Sequence, residues 1–296
     1  MTELDLQTRE AYQTCADVVR RRARNFWYGL RLTPEPKRSA LYAVYAWMRE
    51  ADDLADEPGP TTDERRVALD RFRDRTVPVL EGTSPPSGAD PMWFALADVA
   101  RRYDLPAEAF HEMIEGQVFD LDWGLCRDRA VLERFCELVA SSVGRVCVAV
   151  WGHDDHPAMA EMVRRRGLAL QMTNILRDLR EDWGRGRVYL PQDELAAAGL
   201  DIETLIDWRE PDRCEAFVRD QVRVVETHYG ASEALESHLA PDARATSWAM
   251  AEIYHGLLGR ISDEPSRLSG DRVRLGGWRK ARIAWKARRQ ARRERR

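Results

Sequence analysis

The sequence has no apolar run long enough to cross a lipid bilayer. Its most hydrophobic stretch, VCVAVWG at 146–152, is short and directly follows Arg145, whereas a membrane-spanning helix needs about 20 apolar residues. The first residues, MTELDLQTRE, are polar and acidic, unlike a secretory signal peptide. Five cysteines are scattered without a C-x-x-C pair, which favours reduced thiols over a disulfide or zinc framework. We therefore expect a cytoplasmic protein.

Charge is unevenly distributed along the chain. The whole sequence has a net charge of −4, but residues 270–296 contain twelve basic and two acidic residues and have a net charge of +10. The remaining residues therefore have a net charge of −14. An acidic body with a basic C-terminal tail suggests that the two parts have separate roles.

The alternation of polar and apolar residues that is typical of strands is also missing, and helical spacing dominates. Clusters of proline and glycine at 57–63 and 81–91 predict loops. Asp128 is a predicted helix N-cap, and Pro191 and Gly199 are predicted to begin and end a short helix. We predict an all-α, single-domain helical bundle over residues 1–270, followed by a basic amphipathic tail over 271–296. Helices are expected near residues 39–56, 63–79, 91–103, 106–124, 128–150, 157–183, 211–238 and 241–262.

An acidic segment, READDLADE, lies at residues 49–57. Tyr45, Arg49, Asp52 and Asp56 are spaced i, i+4, i+7 and i+11, which places them on one side of a helix. The two aspartates one turn apart destabilise a helix slightly unless a cation lies between them. A solvated helix face is the alternative interpretation, because a short motif alone is weakly specific.

A second segment, QMTNILRDLREDWGRGRVYLP at 171–191, has a similar stripe formed by Gln171, Asn174, Asp178 and Asp182. Carboxylate and amide oxygens without nearby His or Cys suit Mg²⁺, which usually binds between carboxylates and the phosphates of a substrate. Arginine forks match phosphate oxygens, and four arginines lie among the acids: Arg49, Arg177, Arg185 and Arg187. The two stripes together predict a cleft that binds Mg²⁺ and a diphosphate.

These segments resemble the motifs of the squalene/phytoene synthase family, whose members join two prenyl diphosphates head to head. The similarity extends from about residue 20 to about residue 280. It includes ARNFWYGLRL (23–32), YAVYAWMREADDLADE (42–57), FCELVASSVGRVCVAVWG (135–152) and LALQMTNILRDLREDWGRGRVYLP (168–191), of which the last is the most specific. The resemblance implies a helical bundle around a central cavity, with the two acidic motifs facing each other near its mouth.

The resemblance also implies roles for individual residues. Those expected to bind Mg²⁺ are Asp52, Asp56, Asn174, Asp178 and Asp182. Those expected to contact the diphosphates or line the cavity are Tyr45, Arg49, Gln171, Arg177, Arg187, Tyr189 and Tyr254, with Asn25 and Phe26 of the first motif. Asp53 matches the middle acid of its motif but projects away from the stripe.

The implied reaction begins with departure of a diphosphate, which Mg²⁺ and arginine neutralise, leaving an allylic carbocation. A double bond of the second substrate attacks this cation, and proton loss closes a cyclopropane, which a second ionisation rearranges. A terpene cyclase or a one-substrate isomerase would use similar site chemistry, but NILRDLREDWGRGRVYLP resembles the condensing branch more closely. No glycine-rich dinucleotide fingerprint occurs, so the sequence does not support NADPH as a cofactor.

Two positions depart from the family pattern. Phe135 stands where a tyrosine is usual, which removes a hydroxyl often assigned to proton handling, and Asn25 stands where many members have serine. Bulky Trp27 and Leu30 near the cavity favour two farnesyl diphosphates (C15) and presqualene diphosphate or a squalene-type C30 product. The alternative is a phytoene synthase that joins two geranylgeranyl diphosphates (C20).

The basic tail, RVRLGGWRKARIAWKARRQARRERR, places Trp278, Ala281 and Trp285 on one helix face among basic residues. This pattern is typical of an amphipathic helix at an anionic membrane surface, here the inner face of a membrane. A helix that caps the bundle before a frayed basic end is an equal alternative. A non-catalytic membrane- or nucleic-acid-binding protein is the alternative of another class, although the acidic body argues against nucleic acid. The sequence leaves the oligomeric state open.

Overall fold

The computed structural model describes residues 3–23, 29–270 and 272–294, where the regular structure is helical. Across those ranges, β-structure is limited to isolated bridges at Leu125–Val188 and His153–Leu239, which confirms the all-α prediction. The helices are α1 (Glu3–Arg22), α2 (Lys37–Asp56), α3 (Thr62–Leu80), α4 (Pro91–Arg102), α5 (Ala107–Leu121), α6 (Arg129–Cys136), α7 (Ser142–Trp151), α8 (Met159–Gly184), α9 (Gln192–Ala197), α10 (Ile202–Asp207), α11 (Pro211–Ala231), α12 (Leu235–His238), α13 (Pro241–Asp263) and α14 (Gly277–Glu294). None of these helices is long and apolar enough to span a bilayer.

Three residues that the sequence predicts at helix ends, Asp128, Pro191 and Gly199, lie at helix ends in the structure. The Asp128 carboxylate accepts a hydrogen bond from the Val131 N–H at 3.0 Å and caps α6. Pro191 precedes α9 as its N-cap residue. Gly199 has a φ of +68°, a left-handed conformation that glycine adopts without a steric penalty, and the chain turns away there.

The helix predicted over 128–150 is present as one continuous helical segment, but a π-helical turn, Glu137–Ser141, lies within it between α6 and α7. This turn contacts α8 at Gly167, where an added Cβ would lie 2.5 Å from the Ser141 Cα. The extra residue of the turn is thus accommodated against a glycine of another helix. Hydrophobic periodicity within the segment does not reveal such a contact.

The prediction of one helix over 211–238 is wrong, because α11 ends at Ala231 and α12 begins at Leu235. The guanidinium of Arg166, on α8, donates to the Ser232 hydroxyl at 3.0 Å and to the Ser232 carbonyl at 2.8 Å. It also pairs with Glu236 at 2.6 Å. The Ser232 carbonyl, at the end of α11, therefore has a side-chain hydrogen-bond partner. The last carbonyl groups of a helix lack partners within the helix, so this bond lowers the free-energy cost of ending the helix here.

The rotation of α2 is set by its apolar face. Trp47 is 2% exposed, and its ring centroid lies 5.4 Å from that of Phe72 and 4.7 Å from that of Phe110. The indole N–H donates to the Thr76 hydroxyl at 3.0 Å, which satisfies the buried donor. Because this face is buried, the stripe that begins at Tyr45 is directed to the opposite side.

Helix α8 is buried in the same manner along one side, against α7, α11 and α13. The buried residues in its second half are Leu168, Ala169, Met172, Thr173, Ile175, Leu176 and Leu179. One buried apolar cluster includes α2 and its neighbours α1, α4 and α5, and a second includes α8, α11 and α13. The charged stripes of α2 and α8 meet between these two clusters.

Candidate active site

A cavity of about 490 Å³ lies between α2 and α8. Of the fourteen predicted site residues, Asn25 and Phe26 lie outside the described residues, as does Trp27. The other twelve all line this cavity: Tyr45, Arg49, Asp52, Asp56, Gln171, Asn174, Arg177, Asp178, Asp182, Arg187, Tyr189 and Tyr254. A wider, more polar cleft leads to it from the surface and shares Tyr45 and Tyr254 with it. The two stripes therefore face one space.

Carboxylates and arginines alternate at the polar end of this cavity. Arg187 pairs with Asp56 at 2.9 Å, across 131 residues of sequence. The Arg177 guanidinium donates to Asp178 at 2.7 Å, and Arg49 lies 3.7 Å from Asp52. Positive charge is thus held beside the carboxylates where a polyanion would need it.

Asp53 behaves differently from its neighbour Asp52. It pairs with Arg22 at 2.7 Å and with Arg49, and it lines the outer cleft but not the inner cavity. This position agrees with the helical-wheel expectation that the middle acid of the motif projects away from the stripe.

The carboxylates are not fully compensated by these arginines. Burial, reinforced by the nearby Asp56, Asp53 and Asp120 carboxylates, raises the pKa of Asp52 to about 7. Burial and the Asp178 carboxylate raise the pKa of Asp182 to about 7 as well. Asp182 forms no ion pair within 4.0 Å with any residue in the described part of the chain. The site therefore has negative charge that a bound cation would stabilise.

The segment GRGRVYLP after α8 turns back toward the cavity at Gly186. This residue has a φ of +79°, in the left-handed region that favours glycine. The Asp182 carbonyl accepts from the backbone N–H groups of both Arg185 (3.0 Å) and Arg187 (2.9 Å), which closes the turn. The turn brings Arg187 and then Tyr189 to the cavity wall.

An aromatic cluster lies next to the acids. Phe135 stacks on Tyr189, with centroids 5.1 Å apart and planes at 12°, and Trp123 lies 4.8–4.9 Å from both rings. Phe135 and Tyr189 both line the cavity. The unusual phenylalanine thus faces the reaction space, and its neighbour Tyr189 supplies a hydroxyl.

Beyond the aromatics, the cavity wall is mainly apolar. Phe135, Val139, Val143, Cys147 and Trp151, every fourth residue along α6, the π turn and α7, line it. In an α-helix with 3.6 residues per turn, side chains four residues apart point in directions that differ by about 40°. The π turn has more residues per turn and offsets part of this difference. The wall thereby extends from the acids to the far end of the cavity.

Comparison with known proteins identifies the family. The profile of the squalene/phytoene synthase family matches residues 19–279. The chain belongs to this family. It is 38% identical to the phytoene synthase of Mycobacterium tuberculosis over 96% of this chain and 91% of that protein. It is 33% identical to the 15-cis-phytoene synthase of Synechococcus elongatus over 92% and 90% of the two chains. Among solved structures, a dehydrosqualene synthase in complex with ligand matches with a TM-score of 0.84 and 25% identity, covering 97% and 98% of the two chains.

The protein is thus a prenyltransferase that carries out head-to-head prenyl condensation. In this synthase, Leu30 is buried in the core but is not among the residues that line the inner cavity. It therefore does not shorten that cavity, and the contribution of Leu30 to the C15 preference is not supported.

The structure adds two residues that the sequence motifs of this synthase do not include. Asp120, on α5, is 9% exposed, accepts a hydrogen bond from the Tyr189 hydroxyl at 2.6 Å and pairs with Arg187 at 3.1 Å. Arg272, at the start of the basic tail, pairs with Asp178 at 2.6 Å. Neither lies in a stripe: Asp120 is one of four acids of its helix, and Arg272 is one arginine in a tail rich in them, so neither position stood out in the sequence.

Proposed function

We propose that this synthase joins two geranylgeranyl diphosphates (C20) to give phytoene (C40). The observation that carries the proposal is the similarity to phytoene synthases, at 33–38% identity over at least nine tenths of each chain for the bacterial relatives. The C15 preference depended on Trp27, which lies outside the described residues, and on Leu30, which does not line the inner cavity. The C20 alternative is therefore the better supported one.

The donor set at the polar end fits Mg²⁺ that is shared with a substrate. The Asn174 Oδ1 atom is buried and has no hydrogen-bond partner, and the Asp52 and Asp182 carboxylates have raised pKa values of about 7. Yet no group of three or more His, Cys, Asp or Glu side chains in the described ranges could hold an ion alone. Mg²⁺ commonly binds one or two carboxylates together with phosphate oxygens and water, which matches acids divided between two helices.

We assign the binding of Mg²⁺ to Asp52, Asp56, Asn174, Asp178 and Asp182. When bound, Mg²⁺ would neutralise charge on the departing diphosphate. The arginines beside these acids, Arg49, Arg177, Arg187 and Arg272, would contact the remaining phosphate oxygens. Placing both kinds of positive charge at one end of the cavity leaves the hydrocarbon chains to its apolar end.

The apolar and aromatic walls would protect the allylic carbocation. Water would quench the cation, and the side chains of Val139, Val143 and Trp151 offer it no hydroxyl nucleophile. The faces of Phe135 and Tyr189 carry the negative end of the aromatic quadrupole, which attracts a cation. The site thus stabilises positive charge close to where the diphosphate departs.

We assign the hydroxyl function that Phe135 lacks to Tyr189. Its ring stacks on Phe135, and the hydroxyl is held by Asp120 at 2.6 Å. Burial and the Asp120 carboxylate raise the pKa of Tyr189 well above its usual value of 10.0, so this hydroxyl stays protonated. Its proton is donated to Asp120, so the hydroxyl oxygen is left as an acceptor and can orient the proton-accepting group.

A product assay tests the proposal. Purified protein with Mg²⁺ would receive farnesyl or geranylgeranyl diphosphate separately, with and without NADPH, and the extracts would be analysed by mass spectrometry. We expect a C40 product from geranylgeranyl diphosphate, independent of NADPH. A C30 product from farnesyl diphosphate alone would overturn the C20 assignment. Asp178→Asn should abolish turnover, while Asp70→Asn, at an exposed acid on α3 that pairs with Arg73 at 2.7 Å, should retain it.

A further inference from the structure

Helix α14 packs on the bundle through one narrow face. Ile283 is 8% exposed, Ala287 is fully buried, and Lys280 and Ala284 are partly buried. These positions are spaced i, i+3, i+4 and i+7, the pattern of a helix that buries one stripe. The contact is with α13, so this part of the basic tail is a docked helix.

The opposite face of α14 displays two tryptophans. Trp278 is 92% exposed and Trp285 is 56% exposed, and their separation of seven residues places them two turns apart on one side. At 100° per residue, Arg282 and Arg289 fall on that side too. The Arg289 guanidinium lies 4.7 Å above the Trp285 ring. Large exposed apolar side chains that cluster on one face mark an interaction surface.

The arginines of this outer face also differ from exposed arginines elsewhere. On α11, Arg213 and Arg219 each pair with an acid of the same helix or of its N-cap, at 2.8 Å and 2.7 Å. By contrast, Arg282 and Arg289 form no ion pair with any carboxylate that the structure describes. Residues 277–294 contain eight basic residues and one acid, in a chain whose body is strongly acidic. This face is therefore complementary to an external anionic surface.

We propose that α14 binds the surface of an anionic lipid bilayer through the face formed by Trp278, Arg282, Trp285 and Arg289. Tryptophan rings favour the boundary between headgroups and acyl chains, and arginines bind anionic headgroups. Both interpretations of the tail then hold, because one face caps the bundle while the other faces lipid.

The location of α14 gives the contact a consequence. Residues 272–275 and Lys280 line the outer cleft of the active site, so the bound helix would hold that cleft within one helix diameter of the membrane, roughly 10 Å. The inference goes beyond the proposed function and does not depend on substrate length.

Vesicle co-sedimentation of the full-length protein tests the proposal. We expect binding to vesicles of phosphatidylcholine mixed with phosphatidylglycerol, little binding to phosphatidylcholine alone, and weaker binding as NaCl is added. Trp278→Ala/Trp285→Ala should abolish binding. Arg282→Gln/Arg289→Gln should weaken it about fivefold for each arginine removed.

Matched controls separate this face from general effects. Arg219→Gln/Arg223→Gln changes the charge equally on α11, and Val67→Ala removes an exposed apolar side chain, 49% exposed, from α3. Both variants should bind as the wild type does. Circular dichroism and Tm should match for all variants. As a second measurement, brominated lipids should quench the fluorescence of the wild type more than that of Trp278→Phe/Trp285→Phe.

Equal binding by the wild type, Trp278→Ala/Trp285→Ala and Arg282→Gln/Arg289→Gln, or no binding to the mixed vesicles, would overturn the proposal. Two other outcomes would also overturn the proposal, because each identifies a different binding partner for this face. One is binding of nucleic acid, without vesicle binding, that the α14 variants lose. The other is self-association in sedimentation velocity that depends on this face.

Discussion

Replacing Asp182 by asparagine should stabilise the metal-free protein while it destroys the activity. The pKa of Asp182 is raised from 3.8 to about 7 by burial and by Asp178. Each pKa unit corresponds to about 1.4 kcal/mol, so ionising this group at pH 8 costs at most about 4 kcal/mol. Solvent in the cleft screens part of this cost, and we expect a gain of about 1–3 kcal/mol for Asp182→Asn, which keeps the shape without the charge.

The pH dependence follows from the direction of the shift. The folded state binds the proton more tightly than the unfolded state, so Asp182 lowers stability increasingly as pH rises from about 4 to about 7. The advantage of the variant should therefore be full at pH 8 and vanish towards pH 4. Bound Mg²⁺ should reverse the order, because it stabilises the ionised wild-type site more than the variant site, which lacks one of the five assigned ligands.

Thermal unfolding of both proteins with EDTA or with Mg²⁺ and diphosphate, at several pH values, measures this effect. The EDTA-treated variant should have a Tm several degrees higher at pH 8, since 1 kcal/mol corresponds to about 2–4 °C for a domain of this size. Activity should fall at least about a hundredfold. A lower Tm for the variant at pH 8, or a difference that does not change with pH, would refute the reasoning. Asp70→Asn serves as the control for a charge change at an exposed acid.

Three further predictions concern the packing at Gly167, the hydrogen-bonded pair Asp120 and Tyr189, and the chain length of the product. Gly167→Ala should lower the free energy of unfolding by about 1–3 kcal/mol, because the added methyl group overpacks against the π turn. Gly184→Ala on the same helix has open space around it and should not lower it. Equal Tm values for the two variants would contradict this. Asp120→Asn should reduce kcat about 10–100-fold with little change in KM. The double variant with Tyr189→Phe should lose no more activity than the more affected of the two single variants. Additive losses would show that the two residues act independently. With farnesyl and geranylgeranyl diphosphate supplied together, Cys147→Phe should shorten the apolar end of the cavity and favour the C30 product of farnesyl diphosphate over C40, while Cys147→Ala should keep C40. An unchanged C40 product from the phenylalanine variant would show that Cys147 does not limit the length of the substrate.

Much of the site could be read from spacing along the chain. Asp52 and Asp56, like Asp178 and Asp182, are one turn apart on their helix, and a helix has one period whatever surrounds it. Once the apolar face of such a helix is buried, the acids must project to the other side. This is why the eight residues of the two stripes line one cavity. The spacing does not account for the other four, Arg177, Arg187, Tyr189 and Tyr254, whose roles came from the resemblance to the family.

Contacts between distant segments left no comparable signal. Asp120 meets Tyr189 across 69 residues and Arg272 meets Asp178 across 94, and neither residue belongs to a periodic pattern. The π turn and the helix break at Ser232 likewise depend on α8, through Gly167 and Arg166. The sequence placed Trp278 and Trp285 on one face of the tail helix, but only the docking of the opposite face on α13 showed that the tryptophan face stays exposed.

The sequence by itself therefore determined the helical class, the two acidic stripes and their chemistry, because these properties depend on residues within a few turns of one another. The tertiary structure decided which arginine pairs with which carboxylate, which hydroxyl faces the stacked Phe135, and which side of the tail remains exposed. Those choices depend on the relative placement of helices that are far apart in sequence. That placement is set by the summed packing of many side chains, and no single motif encodes it.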